Sequence, residues 1–535
     1  MEEKAFNLLY EPWIRVLNLE GETEEVSLLT VLEHAHEFNC LAGELPTQDI
    51  AILRFVLATL YATFTRADIQ GNQNPIKNAS EALDRWQSIW ELRHFPMEPI
   101  KKRLCHYEER FYLFHPERPF YQVAGMEKGT NYSAAKLLGN LSESGNKVRL
   151  FPVRSGEGKQ SLSYAEATRW LLYLNAFDDT SSKPSARGQN MPSPGAGWLG
   201  KLGLIYAEGT NLFETLILNF VLLNDNGEPW SNGKAIWEVD EPRTKEREEI
   251  VLPQNQLAML TLQSRRLLLQ RKGSRVIGYK LLGGDFFPRE NAFTEQMTLW
   301  RKDAKNDVYL PKRHDPSKQL WRDFPSFLAE GDGLKKPGIV RWLSMLKEKV
   351  EINNMVTFKI SSVKYGDKDF FVTDVFEDHL SINTGMLSNL GEGWIIRISA
   401  LLSVTEKGVN QLFYLATDLA KASGDSDSLR HKAGENISDA AKAEAYFRLD
   451  IPFRRWLADI NPEETDMDEA EKEWKETAKQ VLLQLGEEIA NQTGEKGIIG
   501  RWVKSNKDSK EKLFTAPGAL VNFNLNIKRI LEKGG

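Results

Sequence analysis

Cysteine is almost missing from this chain of 535 residues: Cys40 and Cys105 are the only two. They permit one disulfide at most, and neither stands in a CxxC or CxxH spacing, which excludes a cysteine-ligated zinc site. Long hydrophobic runs are missing too. The longest, Leu212 to Leu223, is broken by Glu214 and Asn219 and is too short to span a bilayer. The opening MEEKAFNLLYEPWIRV is acidic where a signal peptide is basic, so the expected setting is the cytoplasm, with reduced thiols. Positive charge is not in excess either: Lys and Arg number 69 against 75 Asp and Glu, a formal net charge of -6. A chain coated in nucleic acid over its whole surface would be basic, so only local basic patches remain open. GxxxxGK[ST] phosphate loops, GxSxG elbows and HExxH helices do not occur.

What is present is a core. Hydrophobic residues make up 41% and charged residues 27%, with 14 Trp and 26 Phe, and the length allows several domains. Strand and helix signals mix in the first part. Trp13 to Leu17 alternates, turns at Glu20-Gly21 and returns from Glu24 to Leu28 as a hairpin. Residues 48–68 repeat apolar positions at helical spacing, and further helices are expected over 84–92 and 163–175. Residues 181–200 then carry 4 Gly, 3 Pro and 4 Ser, the most irregular stretch of the chain. A linker between domains fits this composition. Apolar sequence resumes at once, however, so a functional loop inside one domain fits as well. After about residue 381 helical periods take over: 395–404, 409–423, 440–460, 469–491 and 498–514. The expected fold class is α+β, with a large mixed α/β N-terminal domain over residues 1–380 and an all-α helical part over 381–535.

The eight histidines form no ligand pattern, and His34 and His36 lie two apart on an expected helix, on different faces. His314-Asp315 is the only HD dipeptide, the seed of a metal-dependent phosphohydrolase reading, but it sits in a loop rich in Lys, Arg and Pro. Basic patches are more informative. Ser264 to Lys280 carries six cations and no acid: Arg265, Arg266, Arg271, Lys272, Arg275 and Lys280. Lys147, Arg149 and Arg154 surround Phe151. Patches of this kind in an acidic chain suit a side that faces a polyanion, with no amphipathic membrane anchor among them.

An ordered set of segments resembles the CasA family, the large subunit of the type I-E CRISPR Cascade complex. The set is Phe6 to Val16 (FNLLYEPWIRV), Arg118 to Gln122 (RPFYQ), Ala135 to Leu138, a Gly-containing loop, Gly284 to Phe287 (GDFF) and Ala445 to Leu449. The resemblance covers essentially the whole chain. It implies a subunit without catalytic residues, metal or cofactor, with a C-terminal four-helix bundle. It also implies recognition of the protospacer-adjacent motif (PAM) in double-stranded target DNA, assistance in opening the duplex, and recruitment of a separate helicase–nuclease. The implied partners are the backbone and small subunits of the complex and the 5′ end of the CRISPR RNA, with no membrane.

Site residues follow from the same resemblance. A glycine loop that enters the minor groove at the PAM corresponds to Gly188, Gln189, Asn190 and Met191, where Gln and Asn can read the groove, with Arg187 and Lys201 on flanking phosphates. A basic reader in that groove corresponds to Arg289, near Asn291. A strand-splitting wedge corresponds to Gly366, Asp367, Lys368 and Asp369, after Tyr365. The loop that anchors the subunit to the guide end corresponds to residues 139–156, with Lys147, Arg149, Phe151 and Arg154 as its contacts. Some relatives bear a cysteine cluster near 265–280; the cation run stands there instead, a candidate for backbone-phosphate contact.

Overall fold

The computed structural model describes residues 4–141, 143, 152–179, 195–331, 333–424, 433–504 and 511–533. The chain divides into two compact units. One comprises Met1–Ser317, Glu330–Ile352 and Val356–His379; the other comprises Lys318–Ala329, Asn353–Met355 and Leu380–Gly535.

The first unit mixes small antiparallel sheets with helices. The expected N-terminal hairpin forms from strands Ile14–Asn18 and Thr23–Val26, and Phe38–Leu41 pairs on the other edge of Ile14–Asn18. At the centre lies α1, Pro46–Phe64, which begins with a helix-compatible proline in its first turn. Its sequence pattern suggests an amphipathic helix, yet every residue from Gln48 to Phe64 is buried except Asp49. A helix apolar on nearly all sides is stable only when protein surrounds it. Its one buried cation, Arg54, is met by the Glu295 carboxylate in a two-pronged pair of 2.7 and 2.8 Å.

Packed on α1 is α2, Tyr164–Phe177, opened by a capping box in which Ser163 accepts from the Glu166 N–H and Glu166 accepts from that of Ser163. Its buried Arg169 ties three segments together through the Trp13 carbonyl, Glu25 and Glu44. Two hairpins complete the frame. β1, Arg265–Lys272, and β2, Arg275–Gly283, turn at Gly273, whose φ of +60° suits glycine. β3, Met355–Tyr365, and β4, Val372–Asn383, lie side by side, with strand Ile205–Glu208 on the far edge of β3.

The second unit contains four long helices: α3 Gly391–Ser423, α4 Ala433–Asp459, α5 Met467–Asn491 and α6 Ala516–Lys533. Aromatic rings hold its centre. Phe453 stacks on Trp321 and meets Trp474 edge-on, while the Trp321 indole N–H donates to Asp450 at 2.9 Å. Two expectations are corrected here. The two helices expected over 395–404 and 409–423 are one continuous helix. Thr405 returns its hydroxyl to the Leu401 carbonyl and accepts the Trp474 N–H, and Gly408 is a close-approach point for Leu482, so packing carries the helix through the polar stretch. The helix expected over 498–514 does not form. A short helix ends at Ile499, Gly500 takes a φ of +79°, and strands Arg501–Val503 and Lys512–Phe514 pair instead. The region is thus helical with one small hairpin. Cys40 and Cys105 are both free. Among the described residues no helix is long and apolar enough to cross a membrane.

Candidate nucleic-acid interface

Residues Arg187, Gly188, Gln189, Asn190 and Met191 lie outside the described residues, as do Lys147, Arg149 and Phe151. The residues on either side of the 180–194 segment are described, and one side chain bridges them. Arg265 is only 1% exposed. Its guanidinium pairs with the Asp178 carboxylate and donates to the carbonyls of Asp178 (3.2 Å), Asp179 (3.1 Å) and Gly195 (2.8 Å). The chain therefore leaves this point after Asp179 and returns to it at Gly195.

The return is tightly fitted. Gly197 donates its N–H to the Asp178 carbonyl at 2.8 Å, and a Cβ there would meet the Ala176 carbonyl oxygen at 2.3 Å, so only glycine fits. Trp198 is buried and donates its indole N–H to Glu295, the partner of Arg54 on α1. Lys136 pairs with Asp179 at 2.9 Å on the other side. The scaffold beneath the loop is thus a closed network of buried charges, each with an opposite partner.

Other segments named from the sequence arrive at the same place. Lys201 is half-buried, and its ammonium is pushed down to about 8, first by burial and then by the positive charges of Arg265, Arg289 and Arg313, with Asp369 opposing. Arg289 is exposed and makes no ion pair among the described residues. Asn291 is exposed with φ +52°; its Oδ1 accepts the Tyr309 N–H at 2.8 Å and its own N–H donates to the Tyr309 carbonyl. Its side chain serves the turn that follows Arg289.

The hairpin turn between β3 and β4 is the third arrival. Gly366 donates its N–H to the Phe371 carbonyl at 2.9 Å and opens the turn, and Asp367 is exposed. Lys368, Asp369 and Phe371 all have positive φ, at +55°, +59° and +73°. Three side-chain-bearing residues in the left-handed region within four positions make a strained turn. Arg313 grips Asp369 in a two-pronged pair at 2.6 and 2.9 Å. Tyr365, under the Arg313 guanidinium, donates its hydroxyl to the Phe177 carbonyl at the end of α2. Phe370, beside the turn, is 42% exposed.

Arg313, Tyr365 and Phe370 were not singled out from the sequence. Phe370-Phe371 directly after a Gly-Asp-Lys-Asp turn is the signal that marks the last of these; the partnership of Arg313 with Asp369, 56 residues apart, has no local signature.

Elsewhere the structure redirects earlier expectations. Arg154 pairs with Glu166 at 2.7 Å, bracing the cap of α2. Most cations of the run over 264–280 bond within the protein itself, although only Arg265 and Arg266 are buried. Arg265 is the loop clamp, Arg266 is buried against Asp285, and Arg271 lies over the Phe114 ring. Arg275 donates to the Ser161 carbonyl and Lys280 to those of Met126 and Glu127. Arg265 and Arg266 stand on opposite faces of the strand, both faces are covered there, and each buried guanidinium is met by an acid. The HD dipeptide is likewise occupied locally: the buried His314 ring contacts the Leu204 carbonyl through Nε2, and Asp315 accepts from the N–H and hydroxyl of Ser317. Among the described residues no group of three or more His, Cys, Asp or Glu is placed to hold a metal ion.

Comparison with known proteins agrees along the whole chain. Residues 7–485 match the family described as CRISPR-associated protein Cse1. A curated relative, the CRISPR-associated protein CasA/Cse1 of Thermus thermophilus, is 27% identical over 497 residues, covering 90% of this chain and 91% of its own. The crystal structure of Thermobifida fusca Cse1 superposes with a TM-score of 0.82 at 28% identity, covering 99% of each chain. A chain solved in a CRISPR RNA-guided surveillance complex shares the fold, with a TM-score of 0.73 at 18% identity, over 99% of this chain and 100% of that one. With the family match running over residues 7–485, the chain belongs to the Cse1 family of CRISPR-associated proteins.

Proposed function

We propose that this chain is the large subunit of a type I-E CRISPR RNA-guided surveillance complex, and that it reads the PAM of double-stranded target DNA. One observation carries the reading. The ends of the 180–194 loop, the cations Lys201, Arg289 and Arg313, and the turn over 366–371 meet at one rim on a rigid, charge-neutralised base. In this reading Gly188 to Met191 enter the minor groove, where Gln189 and Asn190 read base edges with Arg289 as the basic reader beside them, and Arg187 and Lys201 hold flanking phosphates. The turn acts as the wedge, and Phe370 supplies the side chain that unstacks a base step. Asn291 positions Arg289.

Guide RNA sequence readout stays with base pairing, and the protein contributes duplex shape and motif recognition. Lys147, Arg149 and Phe151 anchor the subunit to the guide 5′ end and a backbone subunit, while Arg154 serves the cap of α2. The division of labour falls near residue 380, with PAM reading and guide anchoring before it and the helical part after it, and the chain as a whole recruits the helicase–nuclease in the cytoplasm. The reading assigns the chain no chemical step and no cofactor.

The test is equilibrium binding of target duplexes, over a set of PAM variants, to a surveillance complex assembled with and without this chain. PAM-dependent binding that requires the chain is the expected result. Binding indifferent to both overturns the reading. Replacing Gln189 and Asn190 by bulky residues is expected to erase PAM discrimination while assembly persists.

A further inference from the structure

The pair formed by Arg313 and Asp369 differs from every other ion pair at this rim. The Arg54–Glu295, Lys136–Asp179 and Arg265–Asp178 pairs are all buried, but the two side chains of this one are each about a third exposed, at 34% and 33%. A partly exposed pair is screened by solvent and held less firmly than a buried one, so a competing anion of the same bidentate shape can displace its carboxylate. The two-pronged geometry at 2.6 and 2.9 Å is the one an arginine fork uses for the paired oxygens of a phosphate.

The surroundings favour that exchange. Lys201 feels the positive charges of Arg265, Arg289 and Arg313 together with the opposing carboxylate of Asp369. Arg265 is matched by Asp178. An incoming anion relieves the mutual repulsion of Lys201, Arg289 and Arg313. Arg313 also keeps its orientation without Asp369, because its guanidinium lies 5.3 Å from the Tyr365 ring, itself fixed by the bond to the Phe177 carbonyl. Asp369, by contrast, sits in the strained turn beside Lys368 and Phe371, so its release lets three left-handed residues relax.

We infer that Arg313 and Lys201, with Arg289 at the edge, form a receptor for one backbone phosphate of duplex DNA, and that Asp369 fills this receptor in the free chain as the phosphate's stand-in. The inference rests on the DNA-reading role proposed above and adds a trigger to it. Phosphate arrival displaces Asp369 and frees the turn that carries Phe370, so the wedge is released only where a duplex is seated.

The experiment uses the complete complex and a PAM-containing duplex in which one backbone phosphate at a time is replaced by a neutral methylphosphonate. At one position the replacement is expected to weaken binding about ten-fold or more, the scale of a charged hydrogen bond. Arg313→Gln is expected to produce a similar loss, with no further loss when combined with that methylphosphonate, because both remove the same contact. Asp369→Asn is expected to tighten binding to the unmodified duplex about three-fold by removing the competitor.

If Arg313→Gln impairs assembly, Arg313→Lys keeps the charge and loses only the fork, and is expected to show the same non-additivity in part. Penalties that add at every position overturn the inference. Loss of affinity in Asp369→Asn equal to that in Arg313→Gln also overturns it, since the pair is then a strut. With either result, PAM-dependent binding that still needs this chain leaves the functional reading standing. Binding that does not need the chain at all refutes both.

Discussion

At the scale of single residues, the decisive feature is how buried charges are matched. Arg265 looks, in sequence, like one more cation in a basic run; in the fold it closes a loop by holding carbonyls from both ends. Arg265→Met is expected to strand the buried Asp178 carboxylate and cost about 3–5 kcal/mol in chemical denaturation, with new protease cleavage within 180–194. Asp49 offers a pH test. Burial pushes its carboxyl up to about 7, helped by Glu44 and Glu377 and opposed by the Gly43 N–H and Lys359. Between about pH 4 and 7 the folded chain keeps a proton that the unfolded chain has released, so this group's contribution to stability falls as pH rises through that window. Asp49→Asn is expected to flatten stability in that window, removing a slope that reaches about 1.4 kcal/mol per pH unit, while still accepting the Gly43 N–H. Denaturation midpoints followed from acid to neutral pH check it. Lys201 has the opposite sign. Its ammonium loses its proton near pH 8 in the folded chain and near 10.5 when unfolded, so stability rises with pH between those values. A bound phosphate restores the proton, and DNA affinity is therefore expected to fall as pH rises from about 8 to about 10. Lys201→Arg, which stays charged, is expected to remove that dependence in binding titrations.

At the scale of elements, local pattern and tertiary demand agree where an element is long or capped. The N-terminal hairpin, α1, α2 and α5 are legible because period, turn residues and the Ser163–Glu166 box all point the same way. They part where packing overrides a local break. Thr405 to Gly408 reads as a gap between helices, but the Trp474 indole and Leu482 fill the space beside it and α3 runs on. The hairpin of β3 and β4 shows the reverse dependence. Its turn is legible from Gly366 to Asp369, whereas its attachment to α2 through the Tyr365 hydroxyl is not, since 188 residues separate the partners. Gly200→Ala is expected to break that attachment, because a Cβ there falls 2.1 Å from the Tyr365 hydroxyl oxygen. Lost thermal stability of at least about 1 kcal/mol in Gly200→Ala, only partly recovered when Tyr365→Phe is added because ring carbon Cζ still lies 2.9 Å from that Cβ, is the expected outcome. Equal losses in the double variant would mean the clash lies elsewhere.

At the scale of the whole molecule, a net charge of -6 and a cationic rim describe the same protein at two ranges. In the proposed DNA-reading role, distant acids would repel a duplex only weakly through screening salt, and the rim would act within a Debye length. Arg289→Ala in the complex is accordingly expected to flatten the slope of log affinity against log salt by about one unit, and an unchanged slope removes Arg289 from the interface. Composition and pattern were enough to establish a mixed α/β chain with a helical C-terminal region, and the ordered segments from Phe6 to Leu449 were enough to indicate the family. These are properties of neighbouring residues, since periodicity, capping and turn chemistry act over a few positions. Which cations stay outside was settled by tertiary structure alone. Arg265 and Arg266 went inward to Asp178 and Asp285, while Arg289 stayed exposed and Arg313 met a carboxylate at the surface. Burying a charge demands an opposite charge beside it, and only the folded chain determines which acids lie within reach.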